Sequence, residues 1–175
     1  MDQEFFQIIA DAKRGNIDAF TQLMKRCKTQ VFQQAFAMLN DREEAKDVTQ
    51  EAFIRTYQSL KKLESEYAFS SWLTRIVSNL CYDRLQKRKK ENVVVTSDRI
   101  EETTTLSDTT DSMQMRITIQ EAMQKLSFEH REVIILREIK GFTYDEISEI
   151  LKIPVGTVKS RIYSARMALR DELSM

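Results

Sequence analysis

Residues 143–170 contain the side chains whose types and spacing best suit a binding chemistry. Thr143 and Glu146 have the spacing of a capping box, in which each side chain bonds to the other's main-chain N–H at the start of a helix. Ile153-Pro154 then predicts a break, because the residue before a proline disfavours helical backbone angles. A second helix follows at once. The segment therefore predicts a helix-turn-helix, a motif that places its second helix in the major groove of DNA.

The second helix of this motif is predicted to have one buried and one open face. Its apolar residues are spaced four, three and four apart, which makes a single stripe: Val158, Ile162, Ala165 and Leu169. Four polar residues on or beside the opposite face are candidates for the groove: Lys159, Ser160, Tyr163 and Ser164. Three arginines nearer the flanks are candidates for phosphate contacts: Arg161, Arg166 and Arg170. A packed helical hairpin that binds no DNA is the alternative.

Motifs of enzymes are missing from the sequence. It contains no phosphate-binding loop, metal quartet, nucleophile elbow or histidine-based triad, and His130 is its only histidine. The adjacent carboxylates of Glu43-Glu44 and Glu101-Glu102 are typical of solvated charge. We therefore expect no catalysis, no cofactor and no metal. Cys27 and Cys81 fit no metal-ligand spacing and are predicted to be buried or incidental thiols, with a redox switch or a disulfide as the alternative.

Composition predicts an all-α protein. Only three Gly and one Pro occur in 175 residues, whereas β folds need frequent turn residues. The periodic segments predict eight helices, near 2–14, 17–39, 41–60, 70–90, 114–126, 128–140, 144–151 and 155–172. Asn16 or Asp18, Asn40 or Asp41, and Ser70 or Ser71 are the candidate N-caps in the first half. No apolar run is long enough to span a membrane and the N-terminus does not resemble a signal peptide, so we expect a cytoplasmic protein.

A segment without helical periodicity divides the chain. Residues 93–113 include nine Ser or Thr, five acidic residues and one basic residue, which predicts a flexible acidic linker between domains at 1–92 and 114–175. The net charge of the whole chain is zero, but the first half carries 16 basic and 13 acidic residues and the second carries 10 and 9. The linker thus masks a local positive excess suited to nucleic acid. We expect the two halves to be independent domains whose relative placement is set by partners.

The helix predicted at 41–60 has two unlike sides. Val48, Ala52, Thr56 and Leu60 share one side, which suits a core. Ile54 and Tyr57 lie on the other side, among polar residues. These two apolar side chains indicate either a partner surface or burial against a neighbouring helix.

Three motifs together resemble bacterial sigma factors of the extracytoplasmic-function group, over roughly residues 5–92 and 114–172. Residues 154–162, Pro-Val-Gly-Thr-Val-Lys-Ser-Arg-Ile, resemble sigma region 4. Residues 47–60 resemble region 2.2, and residues 67–84 resemble regions 2.3 and 2.4. Ser127 departs from the pattern, since the family commonly has proline there. Only the linker lies between the two regions, which fits this group rather than the larger housekeeping sigma factors.

The resemblance implies a fold of two small helical domains and three binding surfaces. Docking on core RNA polymerase would use Asp47, Gln50, Glu51 and Ile54. The opened −10 element would contact Arg75, Asn79, Tyr82 and Arg84, with a base pocket in the loop formed by Leu63, Tyr67 and Phe69. The −35 element would be read as duplex by Lys159, Ser160, Tyr163 and Ser164, flanked by Arg161 and Arg166. Trp72 is predicted to belong to the core.

The function implied is that of an alternative sigma factor, which directs polymerase to promoters. A stress or envelope response and restraint by an anti-sigma factor would follow from the same resemblance. Expected partners are core RNA polymerase, promoter DNA and that anti-sigma factor, with no small-molecule substrate and no membrane insertion. A helix-turn-helix repressor or activator outside the polymerase is the rival, but such proteins normally dimerise and the sequence offers no obvious dimer helix.

Overall fold

The computed structural model describes residues 3–94 and 119–174, and it confirms the all-α class: these segments contain helices and no strand. The four helices of the first half are α1 (Gln3–Lys13), α2 (Ile17–Leu39), α3 (Arg42–Ser59) and α4 (Phe69–Val94). Those of the second half are α5 (119–125), α6 (Phe128–Ile134), α7 (Tyr144–Leu151) and α8 (Val155–Leu173). Two 3₁₀ turns, Leu60–Lys62 and Glu66–Ala68, precede α4, and a π-helical turn, Ile135–Ile139, extends α6.

Short polar side chains start the helices of the first half. The side chain of Asn16 accepts a hydrogen bond from the Ala19 amide, and Asp41 accepts from the Glu43 and Glu44 amides. Asn40 between them adopts the left-handed conformation, with φ of 51°, so α2 ends where α3 is about to begin. Asn16 and Asp41 are therefore the true caps among the predicted candidates.

The predicted cap of α4 is wrong. The helix begins at Phe69, so Ser70 and Ser71 lie inside its first turn, where the hydroxyl of Ser71 donates to the Ala68 carbonyl oxygen. Ser65 caps the preceding 3₁₀ turn instead, by accepting from the Tyr67 amide. Because this 3₁₀ turn leads directly into α4, the cap at Ser65 precedes the turn and not α4 itself.

The core of the first half forms where α1, α3 and α4 pack around α2. The stripe predicted on α3 is confirmed, since Val48, Ala52, Thr56 and Leu60 are all buried. Thr56 is accommodated there because its hydroxyl donates to the Ala52 carbonyl oxygen at 2.7 Å. The predicted core position of Trp72 is supported by its packing, half-buried, against this cluster.

A smaller apolar cluster holds the helix-turn-helix together. It consists of Val133, Leu136, Phe142, Ile147, Ile150, Val158 and Ile162. The predicted capping box is present: Thr143 accepts from the Glu146 amide, and Glu146 accepts from the Thr143 amide at 2.7 Å. At the other end of α7, Lys152 adopts the left-handed conformation that ends the helix.

The predicted linker falls largely outside the described residues. Helix α4 continues to Val94, two residues into the range 93–113. Residues 95–118 are not described, so the prediction of a flexible linker stays a prediction.

The two halves share an interface, contrary to our expectation of independence. Met123, Leu126 and Ile134 belong to the same buried cluster as the core of the first half. The rings of Tyr82 on α4 and Phe128 on α6 lie 5.7 Å apart between their centroids. The sequence could not reveal this contact, because it joins side chains from helices that each show only one obvious apolar stripe.

Candidate functional site

The tight turn of the helix-turn-helix is held by main-chain and side-chain bonds. The amide of Ile153 donates to the Ser148 carbonyl oxygen at 3.2 Å, and the Ser148 hydroxyl donates to the Ile153 carbonyl oxygen at 2.6 Å. Helix α8 then starts at Val155, directly after Pro154, whose fixed φ suits a helix start. The orientation of α8 against α7 is thus determined locally.

Helix α8 separates its two faces as predicted. Val158, Ile162 and Ala165 are buried, and Leu169 is half-buried against the same side. Four of the predicted DNA-contacting residues lie on the open side and are exposed: Lys159, Ser160, Tyr163 and Ser164. Tyr163 keeps 68% of its surface exposed, which is unusual for a residue of this size in a folded domain.

The arginines on the flanks of α8 are less free than the sequence suggested. The guanidinium of Arg166 donates twice to Glu138 Oε1, at 3.1 Å from Nε and 2.5 Å from Nη2. Arg161 is half-buried and lies near the carboxyl group of Glu132. Each of these two arginines therefore has to break its contact with a carboxylate before it can bind a phosphate.

The outer side of α3 is an open surface. Asp47, Gln50 and Ile54 are exposed, and Ile54 and Tyr57 keep 57% and 59% of their surfaces accessible. The alternative of burial against a neighbouring helix is therefore wrong for these two residues. Exposed apolar side chains within a polar face are typical of a protein-binding surface.

Glu51, the fourth residue predicted on this surface, belongs to an ionic network between α3 and α4. It accepts from Arg55 at 2.7 Å and from Arg84 at 3.2 Å. Burial alone would raise the pKa of Glu51, but the hydrogen bonds from these two arginines hold it below its usual value. Arg84 also binds Glu44. Glu51 is therefore half-buried, at the edge of the open surface rather than within it.

The residues predicted to contact the −10 strand separate into two groups. Arg75, Asn79 and Tyr82 are exposed along α4. The guanidinium of Arg84 forms ion pairs with carboxylates of α3, as described above, so in this structure Arg84 joins α4 to α3. Its neighbour Arg88 does the same, donating to Asp41 at 2.5 Å.

The predicted base pocket is not present in the loop before α4. Leu63 and Phe69 are buried in the core at 5% and 1% exposure, and the Phe69 ring packs against Phe5. Tyr67 remains outside at 76% exposure and packs one side of its ring against Phe6. The expectation that Leu63 and Phe69 line a pocket is therefore wrong. Both side chains pack in the core under the loop, and of the three residues only Tyr67 is exposed.

Two charged residues that sequence reasoning missed lie at the contact between the halves. Arg131 and Glu132 are buried at 8% and 7% exposure. Burial raises the pKa of Glu132 to about 7, while a hydrogen bond from Ser78 and the charge of Arg161 oppose that rise. The sequence carried no signal for them, because two charged residues directly before the apolar run Val133 to Leu136 do not disturb its helical pattern.

The two cysteines are buried, reduced and separate. Burial raises the pKa of Cys27 to about 11 and that of Cys81 further still, so both thiols remain protonated near neutral pH. Their burial agrees with the prediction that Cys27 and Cys81 are buried thiols. No helix within residues 3–94 or 119–174 has the length and apolar character needed to cross a membrane.

Comparison with known proteins agrees with the two-part organisation. The family model described as Sigma-70 region 2 matches residues 23–91, and that described as Sigma-70, region 4 matches residues 116–169. The chain is 37% identical to the ECF RNA polymerase sigma factor SigW of Bacillus subtilis, covering 94% of each protein. It is 30% identical to the RNA polymerase sigma-H factor of Pseudomonas aeruginosa, covering 95% of this chain and 92% of that one.

Solved structures have the same fold. CnrH, in a complex with the cytosolic domain of CnrY, matches with a TM-score of 0.72 at 25% identity, covering 97% of both chains. RpoE from Bartonella quintana, in a complex with the anti-sigma factor NepR, matches in fold with a TM-score of 0.73 at 23% identity, over 91% of this chain and 99% of that one. Matches to both regions, in this order along the chain, and relatives at 30% identity or more lead to one conclusion. The chain belongs to the sigma-70 family, in its extracytoplasmic-function group, and is a transcription initiation factor that binds core RNA polymerase and promoter DNA.

Proposed function

We propose that this chain docks on core RNA polymerase through the open face of α3 and directs it, in the cytoplasm, to promoters of a stress or envelope response. Asp47, Gln50 and Ile54 supply the docking contacts, and Glu51 positions the edge of that face through Arg84. The observation that carries the proposal is the exposure of Ile54 and Tyr57 on a helix whose opposite side is wholly buried. Such a face gains free energy when a partner covers it.

DNA binding is assigned to α4 and α8. The opened −10 strand lies along Arg75, Asn79 and Tyr82, with Tyr67 as a stacking platform at the loop. The −35 duplex is read by Lys159, Ser160, Tyr163 and Ser164, which share the open side of α8. Under this proposal the domains are residues 1–92 and 114–175, and residues 93–113 are the acidic linker between them.

Restraint by an anti-sigma factor is part of the proposal. It is supported by the resemblance to the extracytoplasmic-function group and by the complex of RpoE with the anti-sigma factor NepR, whose fold this chain shares. A regulator that covers Ile54 and Tyr57 competes directly with polymerase for the same apolar side chains.

The docking assignment is tested by reversing and removing the contacts of α3. Asp47→Lys combined with Ile54→Ser removes no ion pair between α3 and α4, because neither residue forms one within the described segments. We expect affinity for core polymerase to fall at least about tenfold, the equivalent of about 1.4 kcal/mol, with thermal unfolding unchanged. Glu121→Lys, on the exposed side of α5, is the matched charge change in the other half. Equal affinity for the double variant and this control contradicts the assignment.

A further inference from the structure

An acidic side chain, Glu138, lies beside the DNA-facing side of α8. Its Oε1 accepts from Nε and Nη2 of Arg166, at 3.1 and 2.5 Å. Hydrogen bonds between charged partners are stronger than those between neutral ones, and two donors on one guanidinium fix its orientation. Glu138 therefore holds the Nε edge of Arg166, which is the edge that a guanidinium also uses to bind a phosphate.

The position of this pair is set by the packing of the helix-turn-helix. Glu138 belongs to the π-helical turn Ile135–Ile139. Leu136 of the same turn shares an apolar cluster with Ile162 of α8. Arg166 follows Ile162 by four residues, which is about one helical turn. The backbones that carry Glu138 and Arg166 are therefore both anchored by buried side chains.

Within residues 3–94 and 119–174, Arg166 is the only cation that forms an ion pair with Glu138. The neighbouring Arg137 is occupied differently: its guanidinium lies 5.0 Å from the centre of the Tyr144 ring, and its Nη1 donates to the Phe142 carbonyl oxygen at 2.9 Å. Glu138 raises the pKa of Arg166, and Tyr144 adds to that rise, so the guanidinium stays charged. The Glu138–Arg166 pair as a whole has no net charge.

Arg166 is aligned with residues that the proposed function assigns to the −35 duplex. It follows Lys159 by seven residues, about two turns, so the two side chains project from nearly the same side of α8, with Tyr163 between them. The side chain of Arg166 is 52% exposed even while paired. A duplex that contacts Lys159 and Tyr163 therefore brings its phosphates close to Arg166.

We propose that Glu138 is a positioning residue that competes with DNA phosphate for the guanidinium of Arg166, and thereby sets the strength and the salt dependence of −35 binding. The inference rests on the proposed function, since it uses the assignment of α8 to the −35 duplex. In the free chain the paired charges cancel, so they attract no phosphate. On DNA, Arg166 exchanges a carboxylate for a phosphate, and the carboxylate of Glu138 is left without its partner. The −35 duplex is therefore bound more weakly, and released more readily, than by an unpaired arginine.

The test uses holoenzyme assembled from core polymerase and the full-length chain. Four chains are compared: the parent, Glu138→Gln, Arg166→Ala and the double variant. One DNA probe carries the −35 sequence that the parental holoenzyme selects from a randomised element, and a second carries the same element scrambled. Affinity is measured by equilibrium competition from about 50 to 200 mM salt. Glu149→Gln is the matched control, because Glu149 is an exposed carboxylate of α7 that forms no ion pair in the described part of the chain.

We expect Glu138→Gln to raise the affinity for both probes by about three- to fivefold at the lowest salt, and to slow dissociation accordingly. The fall of log K with log salt should become steeper by about 0.9, the value for one further neutralised phosphate. In the Arg166→Ala chain the same substitution should change affinity by less than about 1.5-fold, because no guanidinium is there to be released. Glu149→Gln should also stay within about 1.5-fold of the parent. Unchanged affinity for core polymerase shows that each variant is folded.

An equal gain from Glu138→Gln with and without Arg166 would assign the effect to net charge and overturn the competition. A gain no larger than that of Glu149→Gln would overturn it as well. A gain confined to the selected −35 sequence would show that Arg166 reads a base, since a phosphate contact is blind to sequence. If the parental holoenzyme selects no −35 sequence at all, the proposed function fails instead.

Discussion

Arg131 Nη1 donates a 2.7 Å hydrogen bond to the carbonyl oxygen of Met38, a residue 93 positions away in the sequence. The guanidinium spans the boundary between the two halves while also closing the turn between α5 and α6. A buried cation with four acceptors is stable because each of its bonds is charge-assisted. Removal of the side chain leaves those acceptors buried and unpaired.

We therefore predict that Arg131→Met lowers the free energy of unfolding by at least about 3 kcal/mol, since buried groups left without partners lose their full hydration. Arg131→Lys should fall between the variant and the parent, because an ammonium has three donors and no planar fork. Urea denaturation measures both. Arg14→Met, which removes an exposed pair with Asp11, is the control and should leave the free energy of unfolding nearly unchanged. Indistinguishable midpoints for Arg131→Met and Arg14→Met would show that the buried bonds contribute little.

The open side of α8 should determine the preferred −35 sequence. Alanine at Ser160, Tyr163 and Ser164 together is expected to change the bases selected from a randomised −35 element, because contacts to base edges discriminate by about 1–3 kcal/mol each. Arg166→Ala should instead weaken binding to all sequences alike and reduce its salt dependence. Lys159→Ala should reduce affinity. Recovery of the parental −35 preference by the triple variant would place the reading face elsewhere.

The ionic network between α3 and α4 leads to a separate prediction for Arg84. Since Glu44 and Glu51 hold this side chain, Arg84→Met is expected to lower stability by about 1 kcal/mol and to leave binding of a single-stranded −10 oligonucleotide by the holoenzyme unchanged. Tyr82→Ala should do the reverse, weakening strand binding by about 1–3 kcal/mol through lost stacking. Equal losses of strand binding in the two variants would restore Arg84 to the DNA surface.

Glu132 should make the packing of the halves sensitive to pH. Its pKa is raised to about 7 in the packed structure, above the ordinary value of 4.5, so the packed state holds the carboxyl proton more tightly than a state in which Glu132 is hydrated. Stability of the packed state is therefore highest at low pH, falls as pH rises from about 4.5 to 7, and levels off above that. The groups around it are Ser78 and Cys81 on α4, Arg161 on α8 and Glu129 on its own helix.

The effect is measured as energy transfer between dyes on Asn40→Cys and Gln120→Cys, at pH 5 to 8. The parent should lose energy transfer with rising pH, because the stability of the packed state falls by up to about 3 kcal/mol. Glu132→Gln, a matched neutral side chain, should show no such loss. A parallel decline in the two chains would assign the titration to another group.

Features written in local periodicity were predictable from the sequence. The stripe Val48, Ala52 and Thr56 and the capping box of Thr143 and Glu146 each depend on spacing within one helix, so no knowledge of neighbours was needed. The open side of α8 follows from its stripe in the same way.

Features that depend on a partner in another helix were not predictable. In the sequence, Arg84 cannot be distinguished from an arginine that binds DNA. Only the folded structure shows that Glu44 and Glu51 of α3 lie beside it. Phe69 is a candidate for a base pocket in the sequence, but in the structure Phe5 of α1 packs against its ring. Glu132 was unremarked because a single buried carboxyl breaks no periodicity. Tertiary contacts decide what such side chains do.

The π-helical turn at Ile135–Ile139 has a consequence for the lengths that related chains can adopt. In this turn the Lys140 amide bonds to the Ile135 carbonyl oxygen at 3.0 Å, five residues back, so the helix accommodates one residue more than a regular turn would. A chain lacking that one residue could continue as an ordinary α-helix without losing a hydrogen bond. Every residue beyond the deletion would then rotate by about 100° around the helix axis and move by about 1.5 Å along it. A single codon at this place would therefore alter how α7 and α8 pack against Val133 and Leu136, with which they share one apolar cluster.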